Sequence, residues 1–131
     1  NPHGIALDVA GNLFISDMIN YRIRKVDTNG IITTFAGTGI MGYSGDGGPA
    51  TAAGFRQIDD ISVDDTGNVY LIDYADQRIR KVDTFGIITT IAGTGVRGCT
   101  GDGGPATAAK INDPSGIIAD KRQYLFLRGW L

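Results

Sequence analysis

The sequence predicts an all-β chain of repeated four-stranded units, and three observations carry that prediction. Residues 1–56 overlay on residues 57–112 without a gap, with 31 of 56 positions identical, and residues 113–131 open a third copy. Glycine supplies 20 of the 131 residues, about twice the usual share, which works against long helices. The apolar runs are short, rich in β-branched residues and broken by Gly, Asn and Asp, as half-buried strands and their turns require. A long fixed period marks an array, solenoid or propeller whose units must stack to bury their faces.

Taken in order, the first strand of each copy covers residues 5–7 and 61–63. Gly11-Asn12 and Gly67-Asn68 turn it into a second strand, 13–15 and 69–72, because both residue types tolerate positive φ. The third strand is the repeated Arg-Ile-Arg-Lys-Val of 22–26 and 78–82, and a turn from Asp27 to Gly30 (Asp83 to Gly86) leads into the fourth, 31–36 and 87–92. In the third copy Pro114-Ser115-Gly116-Ile117 aligns with Pro2-His3-Gly4-Ile5, and Asp120 aligns with Asp8 and Asp64. Beyond Asp120 the Gly-Asn turn and the strand-ending Asp are gone, while Tyr124-Leu125-Phe126-Leu127 still reads as a strand. A one-nucleotide slip would restore a repeat-like peptide across 121–127, so an eroded or frameshifted gene end is the expectation, checked by the downstream genomic DNA.

Four strands closed by hairpins at a fixed period is the layout of a β-propeller blade. The chain divides into blade 1 (1–56, with an insert at 37–57), blade 2 (57–112, with an insert at 93–113) and a partial third blade with a divergent tail (113–131). The strings GIALDVAGNLFISD, NYRIRKVDTNGIITTFAGTG and GDGGPATAA closely resemble NHL repeats, and the resemblance covers residues 1 to about 120. It implies four-stranded blades, usually six to a ring, acting mostly as binding platforms, and it favours a secreted or periplasmic compartment. At this period six blades need about three copies of the chain or a longer parent chain.

Each insert is longer than an ordinary inter-strand link, and long connections often carry function. Gly45-Asp46-Gly47-Gly48 reads as a tight turn, and Pro49 with Ala50-Thr51-Ala52-Ala53 as one or two helical turns. Connections between blades lie on one face of a propeller, so the inserts are expected to ring one mouth of the central channel as the candidate binding face. Residues 45–53 recur unchanged at 101–109, which favours a packing role for them. The positions that vary, Met41/Arg97, Tyr43/Cys99, Gly54/Lys110, Phe55/Ile111 and Arg56/Asn112, are the better candidates for contact with a partner. Asp17, Asp73, Arg22 and Arg78 recur in both copies and read as structural: Asp accepting N–H groups of the turn that follows, Arg bridging to the neighbouring blade through its fork.

Other motifs carry little chemistry. Gly37-Thr-Gly39-Ile-Met-Gly42 and its repeat match G-x-G-x-x-G, but no helix follows to hold a pyrophosphate. Ser44 lies near Asp46, yet the sole imidazole, His3, becomes Asp59 in the second copy, and a nucleophilic serine needs a base. His3 reads as a loop residue at a strand entrance. Zinc requires more His or Cys than one of each, and Asp59-Asp60 with Asp64-Asp65, the calcium candidates, are not repeated pairs. No metal site or cofactor is assigned. Twelve basic against fourteen acidic side chains give a net charge of −2, which argues against a nucleic-acid surface. Cys99 is the single cysteine, so no intrachain disulfide forms. The reading is a non-catalytic binding or scaffolding module that self-associates through exposed blade edges. A metal-dependent propeller hydrolase or lyase, with calcium or zinc, is the runner-up, and single-stranded RNA binding the third possibility.

Overall fold

A computed structural model describes residues 2–120 and 125–129. In the two full repeats, the turn between the first and second strands and the turn between the third and fourth each begin with an aspartate that organises them. Asp8 accepts the backbone N–H of Asn12 at 2.8 Å and its side-chain amide at 2.7 Å, while Gly11 takes φ 92°. Asp64 repeats this with Thr66 and Asn68 and adds the Tyr70 hydroxyl at 3.0 Å. Burial pushes the Asp64 carboxyl up, but the donors from Asn68, Thr66 and Tyr70 outweigh it and hold it below the usual carboxylate range. Burial and the bond to Asp64 push Tyr70 up to about 12. Asp64 is therefore taken up by its own turn. Asp27 and Asp83 likewise each accept two N–H groups of the turn between the third and fourth strands.

These turns connect β1 (Pro2–Leu7), β2 (Leu13–Asp17), β3 (Arg22–Val26) and β4 (Ile32–Ala36) into one antiparallel sheet in sequence order. β5 (Ile58–Val63), β6 (Val69–Asp73), β7 (Arg78–Val82) and β8 (Ile88–Ala92) form the second. β9 (Pro114–Ala119) pairs with β10 (Leu125–Gly129) as a third, two-stranded sheet. The four-strand blades expected from the sequence are present, with shifted strand ends. The first strand starts at Pro2, because Pro2 pairs with Asp17 across a register shift. The fourth starts at Ile32 and Ile88, because the carbonyls of Ile31 and Ile87 close the preceding turn. His3 thus lies within β1, its Nδ1 2.8 Å from the Asp59 carbonyl. Tyr124 and the restored-repeat residues 121–124 lie outside the described residues.

β5 packs between β1 and β9, so the first strand of each blade is innermost and β4 and β8 are outermost. Blade 1 presents Phe14, Ile23, Ala36, Ala53 and Phe55 to Ile58, Ile61, Val69, Leu71, Val82 and Ile88 of blade 2. The other face of blade 2 sets Tyr70, Ile72 and Ile79 against Ile117 of β9. Covered on both sides, β6 is buried at every residue, whereas β2 is buried only at Phe14 and Ser16. Full burial of each large apolar side chain is worth about 1.5–3 kcal/mol, so this stacking holds the blades together. Polar bonds fix its register: Ser16 Oγ donates to the Ile58 carbonyl at 2.8 Å, Asp60 Oδ2 accepts Ile117 N–H at 3.0 Å, and Ser62 Oγ accepts Ala119 N–H at 2.8 Å.

Phe55 is completely buried between the blades. Its truncation to alanine is expected to lower the unfolding free energy by about 3–5 kcal/mol, measured by urea denaturation.

Candidate binding face

The first insert leaves β4 through a conformation that only glycine adopts. Gly37 has φ 96°, and a Cβ there would lie 2.3 Å from the Tyr21 carbonyl oxygen. Its N–H donates to Ala50 O, and Thr38 N–H donates to Ala53 O, which folds the segment back on itself. The helical turn is a single 3-10 turn, Ala50–Ala52, preceded by Pro49 in extended conformation (ψ 133°). Gly47 N–H bonds Ile88 O, Ile88 N–H bonds Gly48 O, and Ala50 N–H bonds Gly86 O. The shared Gly-Asp-Gly-Gly-Pro segment therefore lines the free edge of β8, the outermost strand of the next blade. Backbone pairing draws this segment to the outer rim, while the far end of the insert leads through Arg56 and Gln57 into the innermost strand, β5.

The rim is fixed by Arg80, which is fully buried. Its guanidinium donates to the carbonyls of Gly54 and Ser44, each at 2.8 Å, and to Asp46 Oδ1 at 2.8 and 3.2 Å. Asp46 Oδ2 accepts from Tyr43 at 2.6 Å and Thr90 at 2.5 Å. Burial raises the Asp46 carboxyl, yet Thr90, Tyr43 and Arg80 outweigh it and hold it below the usual range. The Tyr43 ring lies 3.8 Å from Arg78 Cζ and 4.9 Å from Arg80 Cζ, so it is clamped by two cations.

The structure separates the candidate contact residues. Tyr43 is half-buried in this clamp and Phe55 is buried behind it, whereas Met41 is exposed above Phe55 through an isolated parallel bridge. Arg56 is exposed and borders a shallow recess with Met18, Ile19, Tyr21 and Gln57. In the second insert Arg97 is exposed and holds Asp113 Oδ1 at 2.7 Å, Cys99 is exposed as a free thiol, and Lys110 is exposed alongside Gly98. Asn112 is half-buried, with no hydrogen-bond partner for its Oδ1.

The recurrent residues act differently from the expectation. Asp73 Oδ1 accepts the N–H groups of Arg56 and Gln57, at 3.2 and 3.1 Å, so it ties down the entering link rather than the turn that follows. Asp17 accepts from the Asn20 amide at 2.9 Å. Arg22 and Arg78 each donate to a carbonyl of their own unit's insert, Thr38 at 3.0 Å and Thr94 at 2.8 Å, beneath Gly39 and Gly95. Arg78 reaches the neighbouring blade only by stacking on Tyr43. The bridging fork belongs to Arg80, which the symmetric Arg-Ile-Arg-Lys string hid; pairing each arginine with the acid of the preceding insert was the available signal. Asp59 lies against His3, at 3.5 Å, and Asp60 on Ile61 and Ile117 N–H groups. Among the described residues no group of three or more His, Cys, Asp or Glu side chains converges, and no helix is long and apolar enough to cross a membrane.

No protein-family model matches the chain. Over 104 residues it is 33% identical to Teneurin-1 of Gallus gallus, an alignment covering 69% of this chain and 4% of Teneurin-1. A Bacteroides thetaiotaomicron protein of unknown function has a TM-score of 0.78 at 27% identity, covering 91% of this chain and 30% of that one. A chain of a nidogen/laminin complex (TM-score 0.67, 18% identity, 98% and 40% covered) and a catalytically inactive virginiamycin B lyase of Staphylococcus aureus with quinupristin (0.65, 15%, 98% and 34%) share the fold. The chain thus spans a small part of its sequence relative and about a third of these solved chains. It is an all-β, partial β-propeller built of repeated blades.

Removing one partner of a buried ion pair typically costs about 3–5 kcal/mol, so Arg80→Met is expected to lose that much in urea unfolding. Arg24→Met, at the equivalent position in blade 1 where the guanidinium only approaches Thr33 O at 3.4 Å, is expected to lose less than about 1 kcal/mol.

Proposed function

We propose that the chain is part of an NHL-type propeller acting as a non-catalytic binding platform, with the partner meeting the face where Met41, Arg56, Arg97, Lys110 and Asn112 emerge. One observation carries this reading. In the first insert the residues identical between copies are committed to stacking, with Asp46 on Arg80 and Gly47 and Gly48 on Ile88, whereas the positions that break the repeat supply the exposed cations and Met41. A protein surface of complementary, acidic character suits that set. The propeller lyase neighbour supports the enzyme alternative only through its fold.

The second part of the proposal is self-association. On the uncovered face of blade 1, Ile5 is 67% exposed, while its counterpart Ile61 is 3% exposed beneath blade 1. Leu7 beside Ile5 and Ile32 on the outermost strand of the same face are exposed as well, and Arg24 stands where Arg80 takes up the insert of the preceding blade. A blade from a second copy fits that face. A preceding blade of a longer parent chain would cover the same face.

Light scattering is expected to give an assembly that Ile5→Asp converts to monomer; a stable wild-type monomer overturns self-association. For the binding face, a pull-down partner is expected to lose affinity about tenfold or more with the Arg56→Ala/Arg97→Ala pair, on the hot-spot scale of interface arginines. Stoichiometric calcium or zinc in purified protein would instead favour the enzyme.

A further inference from the structure

Asp73 ends β6 and Asp76 closes the 3-10 turn Tyr74–Asp76; their counterparts in the first copy are Asp17 and Asn20. The two turns share one backbone. Asp17 has φ −94°, ψ 76° and Asp73 φ −92°, ψ 84°, and each turn closes on a left-handed residue, Tyr21 (φ 52°) or Gln77 (φ 48°). In the first turn Asn20 Nδ2 donates to Asp17 Oδ2 at 2.9 Å. In the second, a carboxyl group replaces the donor amide. The corresponding oxygens, Asp73 Oδ2 and Asp76 Oδ2, are both buried without a hydrogen-bond partner.

The rest of the pair is occupied. Asp73 is 0% and Asp76 5% exposed; Asp73 Oδ1 holds the Arg56 and Gln57 N–H groups, and Asp76 Oδ1 faces Arg56 Nε at 3.3 Å. Ionised carboxylates only accept hydrogen bonds, and two of them sharing a dry site cannot both ionise cheaply. We propose that Asp73 Oδ2 and Asp76 Oδ2 share one proton, which makes the junction between blades 1 and 2 pH-responsive: tight while the proton is held and loosened when it leaves. The proton does in the second copy what the Asn20 amide does in the first. This inference is independent of the binding reading.

The charged groups on the elements around the pair are Arg56 from the inter-blade link, and Arg78, the cross-strand partner of Asp73, and Arg80 from β7. Burial, the largest influence, and the charge of Asp76 push Asp73 up to about 6, against the N–H groups of Gln57 and Arg56 and the charge of Arg80. The unfolded chain releases this proton near 3.8. The native state therefore holds it more tightly, and the stability it contributes is full at acid pH and lost as pH rises through about 6. Asp46 and Asp64, held low, contribute in the opposite sense, their stabilisation being lost as pH falls from about 5 toward their lowered values, so the two windows meet only at the acid end of the Asp73 limb.

The test is the pH dependence of urea unfolding of the whole chain, with the Asp73 carboxyl carbon followed by NMR. The wild-type folding constant is expected to fall by about a hundredfold between pH 4 and pH 7, the size of a two-unit shift, and Asp73 to titrate near 6. Asp76→Asn, which restores the arrangement of the first copy, is expected to lessen that slope and lower the pH at which Asp73 titrates. Arg56→Gln removes the ion pair but keeps both carboxyls, and is expected to retain the slope. A flat wild-type limb, an ordinary Asp73 titration, or an Asp76→Asn profile still sloping like wild type would overturn the proposal. So would calcium chloride stabilising wild type but not Asp76→Asn at pH 8, which would put a cation between the carboxylates instead.

Discussion

A guanidinium taken wholly out of water destabilises a fold unless each of its donors finds an acceptor, and the rim of this molecule is organised around Arg80. Two carbonyls and a carboxylate receive its hydrogen bonds, and Tyr43 and Phe55 present ring faces to it. All of these partners come from the insert of the preceding blade. That requirement explains features that look unrelated in the sequence. Gly54 must lack a side chain, since a Cβ there would meet the Gly42 oxygen at 2.4 Å, and Gly45 must as well, since a Cβ would lie 2.8 Å from Ala53 Cα. The long link, its glycines and its aspartate together shape a cup for one side chain of the next blade.

The two copies act as internal controls, because near-identical sequence sits in different surroundings. Ile88 is fully buried and Ile32 half-exposed; Arg80 is enclosed and Arg24 partly open. Nothing in the repeated strings distinguishes these pairs. Only the presence of a neighbour on one face does, so the energetic unit is the contact between blades rather than the blade itself.

Much of the fold was legible in the residues for the same reason. Gly11-Asn12 and Asp27 to Gly30 announce turns because their chemistry is local: a carboxylate accepts N–H groups a few residues away. The repeat then fixes which strands belong together. What was not legible is non-local. His3 joins a strand because Pro2 pairs with Asp17 and the Asp59 carbonyl lies alongside. Phe55 is buried because a second sheet covers it. Arg80 differs from Arg78 by two places on one strand, enough to send one side chain into the neighbouring insert and leave the other over its own.

Symmetry breaking is therefore the informative signal in this chain. A repeated residue is available for the same contact wherever a neighbouring blade is present, and here those contacts lie between blades: Asp46 holds Arg80, and Asp73 holds the link. A ligand that breaks the symmetry of the array must be met by residues that do so too. Met41 becomes Arg97 and Arg56 becomes Asn112, changes of charge or size at partly or wholly exposed positions, while Gly54, buried where its carbonyl holds Arg80, becomes the exposed Lys110. The change from Tyr43 to Cys99 is of another kind, because it removes the ring that Arg78 and Arg80 clamp in the first insert. The second insert keeps its backbone without that clamp: Thr100 still bridges to Lys110, and Gly93 still bonds Ala106. Backbone pairing thus shapes the insert, the aromatic clamp secures it to the following blade, and the exposed positions that differ between copies are free to determine what it meets.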